Sequence, residues 1–235
     1  MMELTAAWFW VGTLGMAVGT VLPLARLVGQ RRHRTYYAVL AAVTGVATLA
    51  YLAMALGFGE IQAGSGSLFV PRYLDWLVTT PLLVLYLGLL CKPSRRVYVA
   101  LVGVDVAVIG AGIVAGLTPA PESYAAYLFG CVAYLGLLYL LLVVLPRQSS
   151  LDDDRVAATF TKLRNLTVVL WTLYPVVWIL GPLGVGVLQS QTDVMVVAYL
   201  DLISKVGFVV MAVNGSDALD ALHADSASAG ASRAD

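Results

Sequence analysis

Charge is scarce in this chain. Only 12% of its 235 residues are Asp, Glu, Lys or Arg, while 60% are apolar. A soluble domain carries about twice that charged fraction, and so few charges do not cover a water-facing surface. A water-soluble enzyme is therefore excluded. The 14 basic and 14 acidic residues cancel, which leaves no basic excess for nucleic acid. Cysteine is nearly absent too. Cys91 and Cys131 stand in separate apolar runs, so a disulfide framework and a cysteine-rich metal site are both excluded. Strand signals are almost missing; only Gly64-Ser65-Gly66-Ser67, between short apolar stretches, reads as a hairpin. No short fixed-period repeat is present.

What the chain does have is long apolar runs. A membrane-spanning helix needs about 20 mostly apolar residues. Seven runs qualify: 4–27, 36–56, 73–91, 97–117, 124–145, 160–180 and 194–219. The expected fold class is therefore an all-α membrane protein, a seven-helix transmembrane bundle over 1–222 with a disordered cytoplasmic tail at 223–235. The first run has no basic segment before it and reads as a retained helix, not a cleaved signal. Basic residues set the orientation. Arg26, Arg31, Arg32 and Arg34 flank the first connection. Lys92, Arg95 and Arg96 fill the third, and Arg147, Arg155, Lys162 and Arg164 flank the fifth. The second, fourth and sixth connections hold no Lys or Arg. The N-terminus is thus expected outside and the C-terminus in the cytoplasm.

Several motifs have plain structural readings. Asp152-Asp153-Asp154 reads as a solvated loop capping the sixth helix rather than a metal site. The sequons at Asn165 and Asn214 fall at cytoplasmic helix ends and are discounted. Gly15 and Gly19 form a small-residue packing face.

The unusual residues are ionisable groups inside the spans. Such groups cost at least a few kcal/mol each in a bilayer and need partners. Arg72, Asp75, Asp105, Asp201 and Lys205 fall in this class. Asp201 and Lys205 are four apart and share a face of the seventh helix. Arg72 and Asp75 share a face of the third, which Thr79 extends by a turn. A bundle can join the two faces around one amine and two carboxylates. A purely structural ion-pair cluster is the plain alternative. It leaves the aromatic residues unexplained: Trp171, Tyr174, Pro175 and Trp178 line one face of the sixth helix, and Trp76 adjoins Asp75. Interfacial aromatics sit at helix ends, and these lie near mid-span. An aromatic box around a buried amine suits a bound cation or a lysine-linked cofactor.

Three segments carry a family resemblance. Arg72-Tyr73-Leu74-Asp75-Trp76-Leu77-Val78-Thr79-Thr80-Pro81 resembles the third-helix motif of the microbial (type 1) rhodopsins. Leu200-Asp201-Leu202-Ile203-Ser204-Lys205 resembles their retinal-attachment motif. Trp171-Thr172-Leu173-Tyr174-Pro175-Val176-Val177-Trp178 resembles the sixth-helix wall of their pocket. Order and spacing agree over nearly the whole chain, and within the family the chain is similar to the haloarchaeal sensory rhodopsin II group (phoborhodopsin). The resemblance implies a multi-pass protein of an archaeal plasma membrane, not an enzyme, with all-trans retinal bound covalently as a Schiff base at Lys205. It implies that Asp75 is counterion and proton acceptor, Asp201 the second counterion, and Arg72 the balancing cation. Trp76, Trp171, Tyr174 and Trp178 would sandwich the polyene, and Thr79 and Thr80 would line the pocket. Val108 and Gly130 match positions near the ring end and bear no hydroxyl, so blue-green absorption is expected. Ser204 is expected to hydrogen-bond Tyr174, beside the weak point that Pro175 makes in its helix.

Sensor and pump are the competing readings within the family. Pumps carry an acidic proton donor where this chain has Tyr86, and a glutamate where it has Leu183; Asp193 remains. A phenol, with an unperturbed pKa near ~10, is a poor donor. Both departures suggest a slow photocycle suited to phototaxis signalling. A chloride pump would have a neutral residue at position 75, and a channel would show more polar residues along its helices. A seven-helix receptor for a diffusible ligand would leave Lys205 unexplained. Asp105 receives no catalytic role. The resemblance further implies a two-helix transmembrane transducer of chemoreceptor type on helices six and seven, with Tyr199 at a contacting position. An ordinary lipid-facing or dimer-facing aromatic is the other reading of Tyr199. Membrane lipid is a partner in any case, nucleic acid is not, and a homo-oligomer stays open.

Overall fold

Apolar runs of bilayer length become helices because no water is available there to satisfy their backbone. The computed structural model describes residues 2–29, 31–63, 66–148 and 153–222. Among them are seven helices long and apolar enough to cross a membrane. These are α1 (Met2–Gly29), α2 (Arg34–Ala55), α3 (Val70–Cys91), α4 (Arg95–Leu117), α5 (Glu122–Gln148), α6 (Asp154–Leu180) and α7 (Ser190–Asn214). The expected seven-helix bundle is thus observed. The expected tail, 223–235, lies outside the described residues.

The helices extend past the apolar runs where local chemistry permits. Pro71 stands in the first turn of α3, where its missing amide hydrogen costs nothing. That start brings Arg72 inside the helix. α6 begins six residues before its apolar run because Asp153 caps it. The Asp153 side chain accepts from the amides of Arg155 (2.8 Å) and Val156 (3.4 Å). The Arg155 side chain and these amides hold the Asp153 carboxyl below the usual range. The acidic run is therefore a cap, as its sequence indicates, although Asp152 lies outside the described residues.

The second connection holds the two strands of the expected hairpin, whose Gly64 and Ser65 lie outside the described residues. Strands β1 (Glu60–Ala63) and β2 (Gly66–Phe69) pair antiparallel, with Ile61 opposite Leu68. Gly59 turns the chain into it with a φ of 78°, which favours glycine. The hairpin closes one end of the bundle, its Gly66 lying against Pro182 of the sixth connection. Towards the opposite end the interior is an apolar plug that includes Leu40, Leu83, Tyr86, Leu87, Leu163 and Phe208.

Sequential helices are neighbours, and α7 returns to pack on α1. There Gly15 and Gly19 face Leu202 and Val206, and added methyl groups would lie 2.5 and 2.8 Å from those side chains. The small-residue face is used inside the molecule. α5 and α6 differ from the other sequential pairs: they make few close backbone approaches.

Candidate functional site

The site sits between the hairpin end and the apolar plug, where α3 and α7 face each other. Residues Leu202–Gly207 form a π-helical turn in α7, a widening often found at functional positions. Asp201 and Lys205 flank and occupy it, fully buried. Lys205 Nζ donates to Asp75 Oδ2 and lies 3.5 Å from Asp201 Oδ1. The amine and two carboxylates that sequence spacing suggested are therefore together.

The two carboxylates differ in their surroundings. Asp201 Oδ2 accepts from the Tyr51 hydroxyl at 2.7 Å. Asp201 Oδ1 accepts from Trp76 Nε1 (3.0 Å) and from the Tyr174 hydroxyl (2.7 Å). Helices α2, α3 and α6 thus each hold Asp201 with one donor. Asp75 is paired with the amine through Oδ2, and its Oδ1 has no hydrogen-bond partner among the described residues. The oxygen free for a proton is on Asp75.

Arg72 makes its ion pair away from the two central carboxylates. It is buried, with Nη1 3.5 Å from Asp193 Oδ2 and its guanidinium over the Phe69 and Phe9 rings at 5.3 and 6.0 Å. Its ion pair is with Asp193 rather than with Asp75 or Asp201. The cause is that both residues occupy first turns, Arg72 of α3 and Asp193 of α7, while Asp75 lies deeper.

A cavity leads from Lys205 between aromatic faces. Trp76, Trp171, Tyr174 and Trp178 line it, and so do Thr80, Val108, Gly130 and Ser204. Thr79 does not. It is fully buried beside Asp75, with its hydroxyl turned back to the Asp75 carbonyl at 2.8 Å. Thr80 donates to Asp105 at 2.7 Å, and Asp105 also reaches the cavity. The Ser204 hydroxyl lies 3.3 Å from that of Tyr174. Trp76 meets Tyr174 edge to face at 5.2 Å.

Three tyrosines went unnoticed in the sequence. Tyr51 binds Asp201, and its ring occupies space left by Gly12, where an added methyl would lie 2.1 Å away. Tyr127 and Tyr134 line the cavity from α5. Their seven-residue spacing on one helix face was a usable signal. Outside the cavity, Tyr86 is buried in the apolar plug, and its hydroxyl has no hydrogen-bond partner among the described residues. Tyr199 is half exposed on the outer surface, against the Trp8 ring of α1 at 5.3 Å. No cluster of metal-ligating side chains occurs among the described residues.

This arrangement has clear relatives. Residues 3–219 match the family of bacteriorhodopsin-like proteins. The sensory rhodopsin-2 of Halobacterium salinarum is 50% identical over 222 residues, which is 94% of this chain and 93% of that protein. The sensory rhodopsin-2 of Natronomonas pharaonis is 39% identical over 93% of this chain and 92% of its own length. The crystal structure of thermophilic rhodopsin from Rubrobacter xylanophilus superposes with a TM-score of 0.87 at 36% identity, covering 92% of this chain and 97% of that one. The seven helices, the buried amine with its two carboxylates and the aromatic cavity are accordingly those of a member of the bacteriorhodopsin-like family, to which this chain belongs.

Proposed function

We propose that this chain is a retinal-based phototaxis photoreceptor of the plasma membrane, with Lys205 as the attachment residue and Asp75 as the proton acceptor. One observation carries the reading: a buried amine, held against Asp75 and near Asp201, opens onto a cavity walled by three tryptophans and a tyrosine. The residues fit all-trans retinal. A desolvated primary amine suits its aldehyde, and aromatic faces suit a long apolar chain. Bound there, retinal supplies visible absorption and a light-driven change of shape.

The protein's own groups do the rest. Asp75 and Asp201 hold the positive charge at Lys205 Nζ. The proton of Nζ passes to Asp75, whose Oδ1 is unengaged, while Asp201 keeps its three donors. Ser204 and Tyr174 link the amine's helix to α6 beside Pro175. A helix weakened by proline is a two-state element that a partner can read. That partner is a membrane transducer of the two-helix chemoreceptor type, docked on α6 and α7, with Tyr199 at its edge. The basic connections set the hairpin end and N-terminus outside the cell. This is a light sensor, not an enzyme.

Sensing is favoured over pumping by the residues on either side of the amine. Tyr86 stands in an apolar plug, its hydroxyl without a hydrogen-bond partner among the described residues, and Leu183 packs against the hairpin. Vesicles holding only this protein should show weak net proton transport under steady light. Tyr86→Asp should speed return of the proton to Lys205 Nζ at least tenfold, read by flash photolysis. Strong photocurrents from the unmodified protein would favour the pump.

Absorption is expected in the blue-green. Excitation moves positive charge towards the ring end, where Val108 and Gly130 present no hydroxyl to stabilise it. Gly130→Ser should move the band to longer wavelength. Its added carbon would lie 3.1 Å from Ala111 Cβ, so α4 must give by a few tenths of an ångström. A blue shift would remove Gly130 from the tuning positions. The primary test is an absorption spectrum with and without added all-trans retinal, followed by flash photolysis. Absence of a visible band would overturn the photoreceptor reading.

A further inference from the structure

α6 has a defined weak turn. Pro175 has no amide hydrogen, so the Trp171 carbonyl one turn earlier loses its usual helical partner. The neighbouring α5 makes few close backbone approaches to α6. Two tyrosines bridge the space from one face of α5. Tyr127 donates from its hydroxyl to the Pro175 carbonyl at 3.0 Å, and its ring stacks on Trp178 at 5.0 Å and 14°. Tyr134, two turns further along, is buried, with its hydroxyl 3.0 Å from Thr172 Oγ1 and 3.3 Å from the Val168 carbonyl. The two ties fall on opposite sides of the weak turn. One holds the 175–178 segment and the other the 168–172 segment.

We propose that Tyr127 and Tyr134 form a two-point clamp on α6, with Tyr134 the releasable tie that sets how fast the 154–172 half swings away from α5. This rests on the photoreceptor reading above, in which the proline-weakened α6 is the two-state element. Tyr134 is the releasable member because the Val168 carbonyl keeps another donor without it: Thr172 Oγ1 donates to that carbonyl at 2.7 Å. Breaking the Tyr134 bond therefore leaves the Val168 carbonyl and the Thr172 hydroxyl hydrogen paired with each other. Tyr127 adds a stacked ring to its hydrogen bond and has more to lose. Tyr134 also forms part of the cavity wall, so a shape change inside the cavity presses on the tie directly. The Tyr134 hydroxyl bonds to Thr172 and Val168 rather than to Lys205 or its carboxylates, and Tyr134 acts as a positioning residue.

The test places spin labels at Arg96→Cys and Lys162→Cys, both exposed near the end away from the hairpin, in a background with Cys91 and Cys131 replaced. The interlabel distance is followed after a flash in the retinal-loaded protein. Tyr134→Phe removes the whole tie and Thr172→Val its shorter bond, both keeping side-chain shape. Each should speed the opening about fivefold, the effect of one neutral hydrogen bond. The double variant should be no faster than either single one. Tyr127→Phe should change the opening rate less than twofold. A dark visible band in each variant shows that it has folded and loaded. Opening in the unmodified protein with unchanged rates in both single variants would overturn the clamp alone. Additive effects would overturn the shared bond. A photocycle with no distance change in the unmodified protein would overturn the hinge reading and the clamp with it.

Discussion

Lys205→Ala is expected to remove the visible absorption band completely. The chain has three lysines. Lys92 and Lys162 are exposed near the end of the bundle away from the hairpin, and neither reaches the cavity, whose lining contains Lys205 alone among them. Among the described residues no other lysine is placed to bond retinal covalently. The same change leaves Asp75 and Asp201 buried without their shared cation. Removing one member of a buried ion pair costs about 3–5 kcal/mol, so the variant should also melt at lower temperature, read from its helical signal. Mixing it with retinal, washing and denaturing should leave no covalently held pigment. A retained band would reject Lys205 as the attachment residue.

The second large effect is expected from Asp75→Asn. Its carboxylate is the direct partner of Lys205 Nζ and is fully buried. A unit charge about 4 Å away contributes about 4 kcal/mol at an effective dielectric near 20. Excitation moves positive charge away from the amine, so the anion stabilises the ground state more than the excited state. That difference is several per cent of the energy of a visible photon, and the band should move to longer wavelength by tens of nanometres, further than in Gly130→Ser. Flash photolysis should show no transient deprotonation of Lys205 Nζ, because the amide takes no proton and Asp201 is engaged by Tyr51, Trp76 and Tyr174. An unchanged maximum at neutral pH would count against Asp75 as the counterion.

The bilayer explains why so much of this architecture was readable in one dimension. A span must be about 20 apolar residues long, so seven runs announce seven helices. Helical periodicity then assigns residues to faces, which is how Asp201 and Lys205 could be paired, and Arg72 with Asp75. Short-range chemistry was equally legible. Asp153 caps α6 through amides two and three residues away, and the glycine-serine segment marked the hairpin. In each of these cases the partners are close in sequence.

The remaining features depend on how separate helices rotate against one another. Tyr51 reaches Asp201 across 150 residues, and nothing in α2 alone distinguishes that hydroxyl from one facing lipid. Arg72 was grouped with Asp75 by spacing, yet it pairs with Asp193, because the first turns of α3 and α7 meet beneath the hairpin. Thr79 shares a face with Asp75 but does not line the cavity; it is fully buried beside Asp75. The clamp of Tyr127 and Tyr134 exists only because α5 and α6 stand far enough apart for tyrosine side chains to fill the space between them. Length, hydropathy and period decided which residues enter the bundle and on which face. The packing of one helix on the next decided which of them touch, because interhelical contacts follow side-chain volume and helix rotation, and neither is set by the spacing of residues along a single helix.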